Sequence, residues 1–168
     1  MNYLATKLSS HHNRKNFNCG KAPLDNYIKT QVNQDIKRKL AVCFIVADEN
    51  SDVKGYYTLS NASVPIDDAP ESIKSKMPRG YTDLPVTLLG RLAVDNKSQG
   101  QKLGEQLLID ALARSFDLSA TIASHAVIVD PIDAEASAFY RKYGFIPLDS
   151  GRMFIPMKTI EEVLTSLT

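Results

Sequence analysis

The sequence predicts a mixed α/β fold that combines an antiparallel hairpin with a parallel pair of strands. Three observations carry this reading. Residues 41–48 (AVCFIVAD) and 53–64 (VKGYYTLSNASV) are strand-like runs separated by the turn Glu49-Asn50-Ser51-Asp52, which makes them a hairpin. Residues 86–94 form a second apolar strand that breaks at Asp95 and resumes with Leu103, Leu107, Leu108, Ala111 and Leu112, the apolar face of a helix. The order strand, helix, strand, helix, strand in the second half then requires a parallel pair joined by a right-handed crossover.

Each remaining element follows from its own residues. Residues 3–9 alternate weakly and read as a short first strand. A polar loop punctuated by Gly20 and Pro23 follows, and Leu24, Tyr27, Ile28 and Val32 recur at helical spacing, predicting a helix over 23–39 with a basic C-terminal end that suits the helix dipole. Residues 65–85 hold four prolines and one short helical segment around 71–77. Later, Ala126-Val127-Ile128-Val129 is a fully apolar strand, Asp133 a helix N-cap, 134–143 a helix stopped by Gly144, 145–147 and 153–155 late strands, and 158–167 a terminal helix. With 168 residues, 43% hydrophobic and 23% charged, this is the composition of one globular domain spanning 1–168.

Charge is uneven along the chain. Up to Val46 there are eight Lys or Arg against Asp25 and Asp35, a net +6 in a chain whose total is +1. The first segment therefore presents an electropositive face, and the rest carries the compensating acid. Cys19 and Cys43 have no paired or metal-ligand spacing, nor do His11, His12 and His125, so no metal is expected. The first 15 residues lack an apolar core of leader length, and no run approaches the roughly 18 apolar residues of a membrane span; a soluble, cytoplasmic protein without membrane contact is expected.

The loop Gln99-Gly100-Gln101-Lys102-Leu103-Gly104 ends a strand and opens a helix. The first helical turn points unpaired N–H groups outward, and small residues let a phosphate reach them, so the loop is a candidate pyrophosphate site, with a purely structural helix entry as the alternative. It is no P-loop, because Glu105 and Gln106 follow the last glycine where Lys and Ser or Thr are needed, and it lacks the third glycine of a dinucleotide fingerprint.

The segment RLAVDNKSQGQKLGEQLL, followed after one strand by AEASAFYRKYGF, resembles the GNAT superfamily of N-acetyltransferases. The resemblance implies an α+β GNAT fold: a central mixed, mostly antiparallel sheet with a splayed parallel pair and helices on both faces. It implies acetyl-CoA as cosubstrate. Leu92, Ala93 and Val94 would pair with the pantetheine arm, with the Val94 N–H facing the thioester carbonyl. Gln99, Gly100, Gln101, Lys102, Leu103 and Gly104 would cradle the pyrophosphate, Ser137 would lie by the pantetheine, and Tyr140 would protonate the leaving CoA thiolate. Lys102 stands where the family has its middle glycine, keeping the backbone N–H and adding an ammonium that can pair with phosphate. No general base stands out, which fits direct attack by an amine of low pKa.

FNCGKAPLDNYIK, GYYTLSNASV, MPRGYTDLPVTLLGRLAVD and AEASAFYRKYGF together look like the toxins of type II toxin-antitoxin pairs. Those toxins acetylate the amino group of aminoacyl-tRNA, blocking translation, and are held by a ribbon-helix-helix antitoxin. On that resemblance Lys29, Lys37, Arg38 and Lys39, with Arg79 and Arg91, form the footprint for acceptor-stem phosphates; Arg91 could equally be the structural partner of a carboxylate. Two other functions stay open at this point: an N-acetyltransferase of a small amine or protein N-terminus, and a non-catalytic CoA-binding or interaction module. A homodimer is compatible with each.

Overall fold

The structure, a computed structural model, describes residues 2–168. In chain order its elements are β1 (Thr6–Lys7), α1 (Ala22–Asn26), a π-helical turn (Tyr27–Gln31), α2 (Val32–Lys37), β2 (Val42–Ala47), β3 (Val53–Pro65), α3 (Glu71–Lys74), β4 (Asp83–Val94), α4 (Leu103–Leu118), β5 (Ala126–Val129), α5 (Ala134–Lys142), β6 (Ile146–Pro147), β7 (Met153–Pro156) and α6 (Met157–Ser166), with 3-10 turns at Ile66–Asp68 and Asn96–Ser98. The strands form a seven-stranded sheet of order β1-β2-β3-β4-β5-β7-β6. The expected parallel pair is β4 with β5, aligned from Val86 opposite Ala126 to Leu88 opposite Ile128. The pairs β1–β2, β2–β3, β5–β7 and β6–β7 are antiparallel. The chain divides into two compact units, 2–60 with 89–114, and 61–88 with 115–168.

In the first unit, Phe17, Ile28, Val32, Ile45, Tyr56 and Ala93 share one buried cluster. The single helix expected over 23–39 is instead three pieces. The Val32 N–H bonds back to the Tyr27 carbonyl, five residues away, and the Ile28 carbonyl accepts from Arg14 Nη1 at 2.9 Å. A side chain 14 residues upstream thus takes the acceptor that an α-helix would give to residue 32, and the turn widens. Helical periodicity could not show this, because the competing donor comes from outside the helix. At the end of α2, Lys39 N–H bonds Ile36 O at 3.1 Å and Leu40 N–H bonds Asp35 O at 2.9 Å. These are the two bonds of a Schellman cap, with Lys39 at φ 60° in the place usually held by glycine.

Helix α4 lies on β3. Leu103, Leu107, Leu108, Ala111 and Leu112 are all buried, as their spacing predicted. A Cβ on Gly55 would sit 2.7 Å from Leu107 Cδ1 and 3.4 Å from Leu103 Cδ2, so the close approach of helix to strand requires glycine. Asp110 is the polar exception on this face. Its carboxylate accepts from the Leu4 N–H (2.6 Å), the Ala5 N–H (3.4 Å) and the Tyr57 hydroxyl (2.7 Å). Arg114, one turn on, lies 3.7 Å from it and donates to Tyr57 Oη at 3.0 Å and Ala5 O at 2.8 Å, its guanidinium sandwiched against Tyr3 and Phe44. This buried network ties the first residues of the chain to α4 and sets where β1 begins: Leu4 and Ala5, just before it, bond a side chain instead of a strand.

In the second unit Val64, Leu84, Val86, Ala126, Ile128 and Phe154 form the core. Asp133 caps α5 as expected, its Oδ1 accepting from the Ala136 N–H at 2.8 Å, and Gly144 at φ 99° ends the run. The segment expected as helix around 71–77 shortens to α3. His125 uses its backbone on both sides, donating to Pro85 O and accepting from Met157 N–H, while its Nε2 is buried without a partner. Burial lowers its pKa from the ordinary 6.5. No helix among the described residues is long and apolar enough to cross a membrane.

Asp110→Ala strips Arg114, Tyr57 and two backbone donors of their acceptor at once, and is expected to lower unfolding free energy by about 3 kcal/mol in urea titrations. His125→Phe tests acid sensitivity. Above the ordinary pKa of 6.5 the imidazole is neutral folded or unfolded and contributes nothing to pH dependence; below it the unfolded chain binds a proton that the folded chain resists. Wild-type stability therefore drops on acidification through and below that value, and thermal melts at pH 5 and 7.5 should show a smaller drop in His125→Phe.

Candidate active site

Strand β4 ends at Val94, and the chain then turns through Asn96–Ser98. Asp95 holds this turn. Its N–H bonds Lys54 O at 2.8 Å, Oδ1 accepts from the Lys97 N–H, and Oδ2 accepts from the Asn18 N–H, both at 2.9 Å. The Asn96 N–H returns to Asn18 O at 2.8 Å. Gln99 closes the loop from the other side, Nε2 donating to Val94 O at 3.0 Å and Cys19 O at 3.2 Å. Two segments 77 residues apart are therefore locked together by side-chain carboxylate and amide, which leaves the backbone donors of 100–104 uncommitted to the loop's own shape.

Those donors precede and begin α4, where the positive end of the helix dipole and the unpaired first-turn N–H groups coincide. Gly100 has φ 80° and nothing within 4 Å of a Cβ. Lys102 has φ 63°, a left-handed conformation that is costly for a residue with a side chain. Gln101 and Lys102 are exposed, whereas Leu103 is buried against the Gly55 position and can offer only its backbone. A Cβ on Gly104 would meet Val94 Cγ2 at 3.7 Å, an ordinary contact that alanine would also make. On β4, Ala93 is buried at 4%, Leu92 and Val94 are half-buried, and the ladder to β5 ends at Leu88.

The second unit holds Ser137 and Tyr140 on α5. Ser137 is half-buried, and its hydroxyl donates to Asp133 O at 3.2 Å within its own helix. The Tyr140 ring is 7% exposed, packed edge-on to Phe139 at 5.4 Å and against Phe145 at 5.2 Å. Among the described residues its hydroxyl has no hydrogen-bond partner. Burial raises its pKa well above the ordinary 10, so the phenol keeps its proton across the physiological range.

The cations divide into two kinds. Lys29 is exposed on the π turn, Lys37, Arg38 and Lys39 at the end of α2, and Arg79 in the loop before β4, in the second unit. Arg91 is different: half-buried on β4, with its guanidinium carbon 3.5 Å from the centroid of the Tyr27 ring. The Tyr27 hydroxyl in turn donates to Asp35 at 2.9 Å, and among the described residues no carboxylate pairs with Arg91. Tyr27, Asp35, Asn18 and Asp95 escaped sequence reasoning, since nothing local distinguishes them from ordinary core and loop residues. Among the described residues no cluster of His, Cys, Asp and Glu could hold a metal ion.

The sequence profile of the acetyltransferase (GNAT) domain matches residues 41–147. The chain belongs to the GNAT acetyltransferase family. It is 35% identical over 144 residues, 84% of either chain, to the tRNA-acetylating toxin of Mycobacterium tuberculosis. Among solved structures, AtaT complexed with acetyl-methionyl-tRNAfMet matches with TM-score 0.88 at 27% identity, covering 97% of this chain and 99% of that one. A Tyr-to-Phe variant of AtaT bound to acetyl-CoA and the C-terminus of the antitoxin AtaR matches with TM-score 0.80 at 27% identity, covering 96% and 97%.

Within the GNAT pattern Gln99 and Gly104 stand at the two ends of the loop motif, and Lys102 departs from it in side chain while keeping a glycine-like φ. The left-handed backbone at Lys102 carries a conformational cost. Lys102→Gly should be more stable than Lys102→Ala by about 1 kcal/mol in chemical denaturation, the reverse of the usual order, because only glycine is unstrained at that φ. Equal stabilities would show that the loop relaxes to negative φ.

Proposed function

We propose that this chain is an acetyl-CoA-dependent N-acetyltransferase that acetylates the α-amino group of aminoacyl-tRNA, a translation-blocking toxin neutralised by an antitoxin. The observation that carries this is the 35% identity to a tRNA-acetylating toxin along 84% of both chains. The likeness to AtaT bound to acetyl-methionyl-tRNAfMet supports the substrate class, and the complex with AtaR and acetyl-CoA supports the cosubstrate and the kind of protein partner. We take 1–168 to act as one catalytic domain in the cytoplasm, where charged tRNA is found, with the antitoxin of ribbon-helix-helix type.

Residue roles follow the family pattern. The first-turn N–H groups of α4 and the loop 99–104 bind the pyrophosphate, with the Lys102 ammonium as an additional cation. Leu92, Ala93 and Val94 offer their backbone to the pantetheine arm, and Ser137 flanks it. The neutral amine attacks the thioester carbonyl carbon; the oxygen gathers negative charge and accepts from the Val94 N–H. Collapse re-forms the carbonyl, breaks the C–S bond and expels the thiolate, to which Tyr140 gives its proton while the amine's surplus proton leaves to water. Burial keeps the phenol protonated, as a proton donor must be, while making it a weaker acid than a free tyrosine. An α-amino group whose carboxyl is esterified is a weaker base than an α-amino group of ordinary pKa near 7.7–8.0, so a useful fraction is neutral without a dedicated base. Lys29, Lys37, Arg38, Lys39 and Arg79 attract the phosphate backbone.

Incubation with radiolabelled acetyl-CoA, total charged tRNA and a panel of free amines tests this. Label in charged tRNA that alkali-stripped tRNA does not accept is the expected result; label confined to free amines makes this an acetyltransferase of small amines instead. Tyr140→Phe should lower the transfer rate about 10²-fold or more, with acetyl-CoA still bound in calorimetry and growth arrest relieved. An unchanged rate removes Tyr140 from the mechanism.

A further inference from the structure

Arg91 stands apart from the other cations of the electropositive face. The lysines and Arg38 project from a turn and a helix end, and each loses rotamer freedom when it meets a phosphate. Arg91 has already lost it. Its guanidinium carbon lies 3.5 Å from the Tyr27 centroid. Tyr27 in turn is 3% exposed, stacked on Tyr56 at an interplanar angle of 18°, and tied through its hydroxyl to Asp35. A phenol donating to a carboxylate gains negative charge on its ring, which strengthens the hold on a cation above it.

This contact uses the face of the guanidinium and leaves its edge. The five N–H donors of an arginine lie in that plane, and among the described residues no carboxylate, carbonyl or hydroxyl accepts from Arg91. A half-buried guanidinium held by its face keeps edge donors that have lost part of their water without gaining a protein acceptor. Its planar fork suits the two free oxygens of a phosphodiester.

Position narrows which phosphate. Arg91 precedes Val94 by three residues on one strand, so their backbones are about 10 Å apart at 3.3 Å per residue. In a charged tRNA the phosphate of the terminal nucleotide is eight covalent bonds from the α-amino nitrogen, roughly 10 Å for a zigzag of bonds about 1.5 Å long. Resting on the reading above, in which Val94 marks the thioester, we infer that Arg91, positioned by Tyr27 and Asp35, clamps the phosphate of the terminal nucleotide and so sets how far the aminoacyl group reaches toward the acetyl donor. Arg91 is the binding group; Tyr27 and Asp35 act through it.

Steady-state acetylation of charged tRNA by wild type, Arg91→Met, Arg91→Lys and Tyr27→Phe tests this across a salt series. Arg91→Met should raise KM about tenfold, the typical loss for a charged phosphate contact, and make the dependence of log KM on log salt shallower by about 0.7, the value of one single-stranded phosphate. Arg91→Lys should lose most of the same affinity, since an ammonium offers neither fork nor flat stack. Tyr27→Phe keeps the ring, deletes the bond to Asp35 and should raise KM by a smaller factor. Acetyl-CoA affinity, read by calorimetry, should stay at the wild-type value in all three, and melting curves report whether each is folded. A folded Arg91→Met or Arg91→Lys with unmoved KM and salt slope overturns the inference, as does a loss confined to acetyl-CoA affinity. No transfer to charged tRNA by the wild type refutes the parent reading itself, a result distinguishable from transfer with an unmoved KM.

Discussion

Asp110 brings a carboxylate into the packed face of α4, where an unpaired charge would cost several kcal/mol. It is tolerated because four donors converge on it or beside it: the N–H groups of Leu4 and Ala5, the Tyr57 hydroxyl and the Arg114 guanidinium. These come from the start of the chain, from β3 and from α4 itself, so satisfying one charge joins three segments. Together with the glycine at position 55, which lets Leu107 and Leu103 close onto β3, the network sets where α4 sits. The position of the first turn of α4, and with it the direction of its free N–H groups, is a consequence.

The loop before that turn is held from outside. Asp95 and Gln99 satisfy the backbone groups of Asn18, Cys19, Val94 and Lys97, so the shape of 95–99 does not depend on the donors further along. That division matters for a phosphate site: groups that fix the loop and groups that meet the ligand are separate, and binding need not break internal bonds. Lys102 fits the same logic. Its left-handed backbone preserves the path of the loop, and the side chain that glycine would lack is exposed to solvent.

Charge is deployed in two ways in the first unit. Exposed lysines on the π turn and at the end of α2 raise the local potential, an effect that salt weakens. Arg91 differs, its orientation set by an aromatic ring that is itself buried and hydrogen-bonded. The π turn is part of this arrangement, since Tyr27 is its first residue and Arg14 holds it open at Ile28. A regular helix through the same residues would have placed Tyr27 and the exposed Lys29 differently with respect to α2.

Much of this protein is legible in its sequence because the signals are local. Alternation and apolar runs located β2 to β5, the spacing from Leu103 to Leu112 located the buried face of α4, and Asp133 and Gly144 bounded α5 by capping chemistry. The loop motif and the Phe-Tyr segment carried the family, and with it the candidate roles of Gln99, Gly104 and Tyr140. What the sequence could not determine is every feature that depends on a partner distant along the chain. Asn18 meets Asp95 across 77 residues, Leu4 meets Asp110 across 106, and Arg14 turns an expected helix into a π turn. Arg91 illustrates the limit most clearly. Its charge was evident from the letter alone, but whether it would pair with a carboxylate, wave in solvent or lie fixed on a ring was decided only when folding brought β4 against Tyr27. Periodicity and capping act over one or two turns, while hydrogen-bond satisfaction and ring stacking are settled by the tertiary fold.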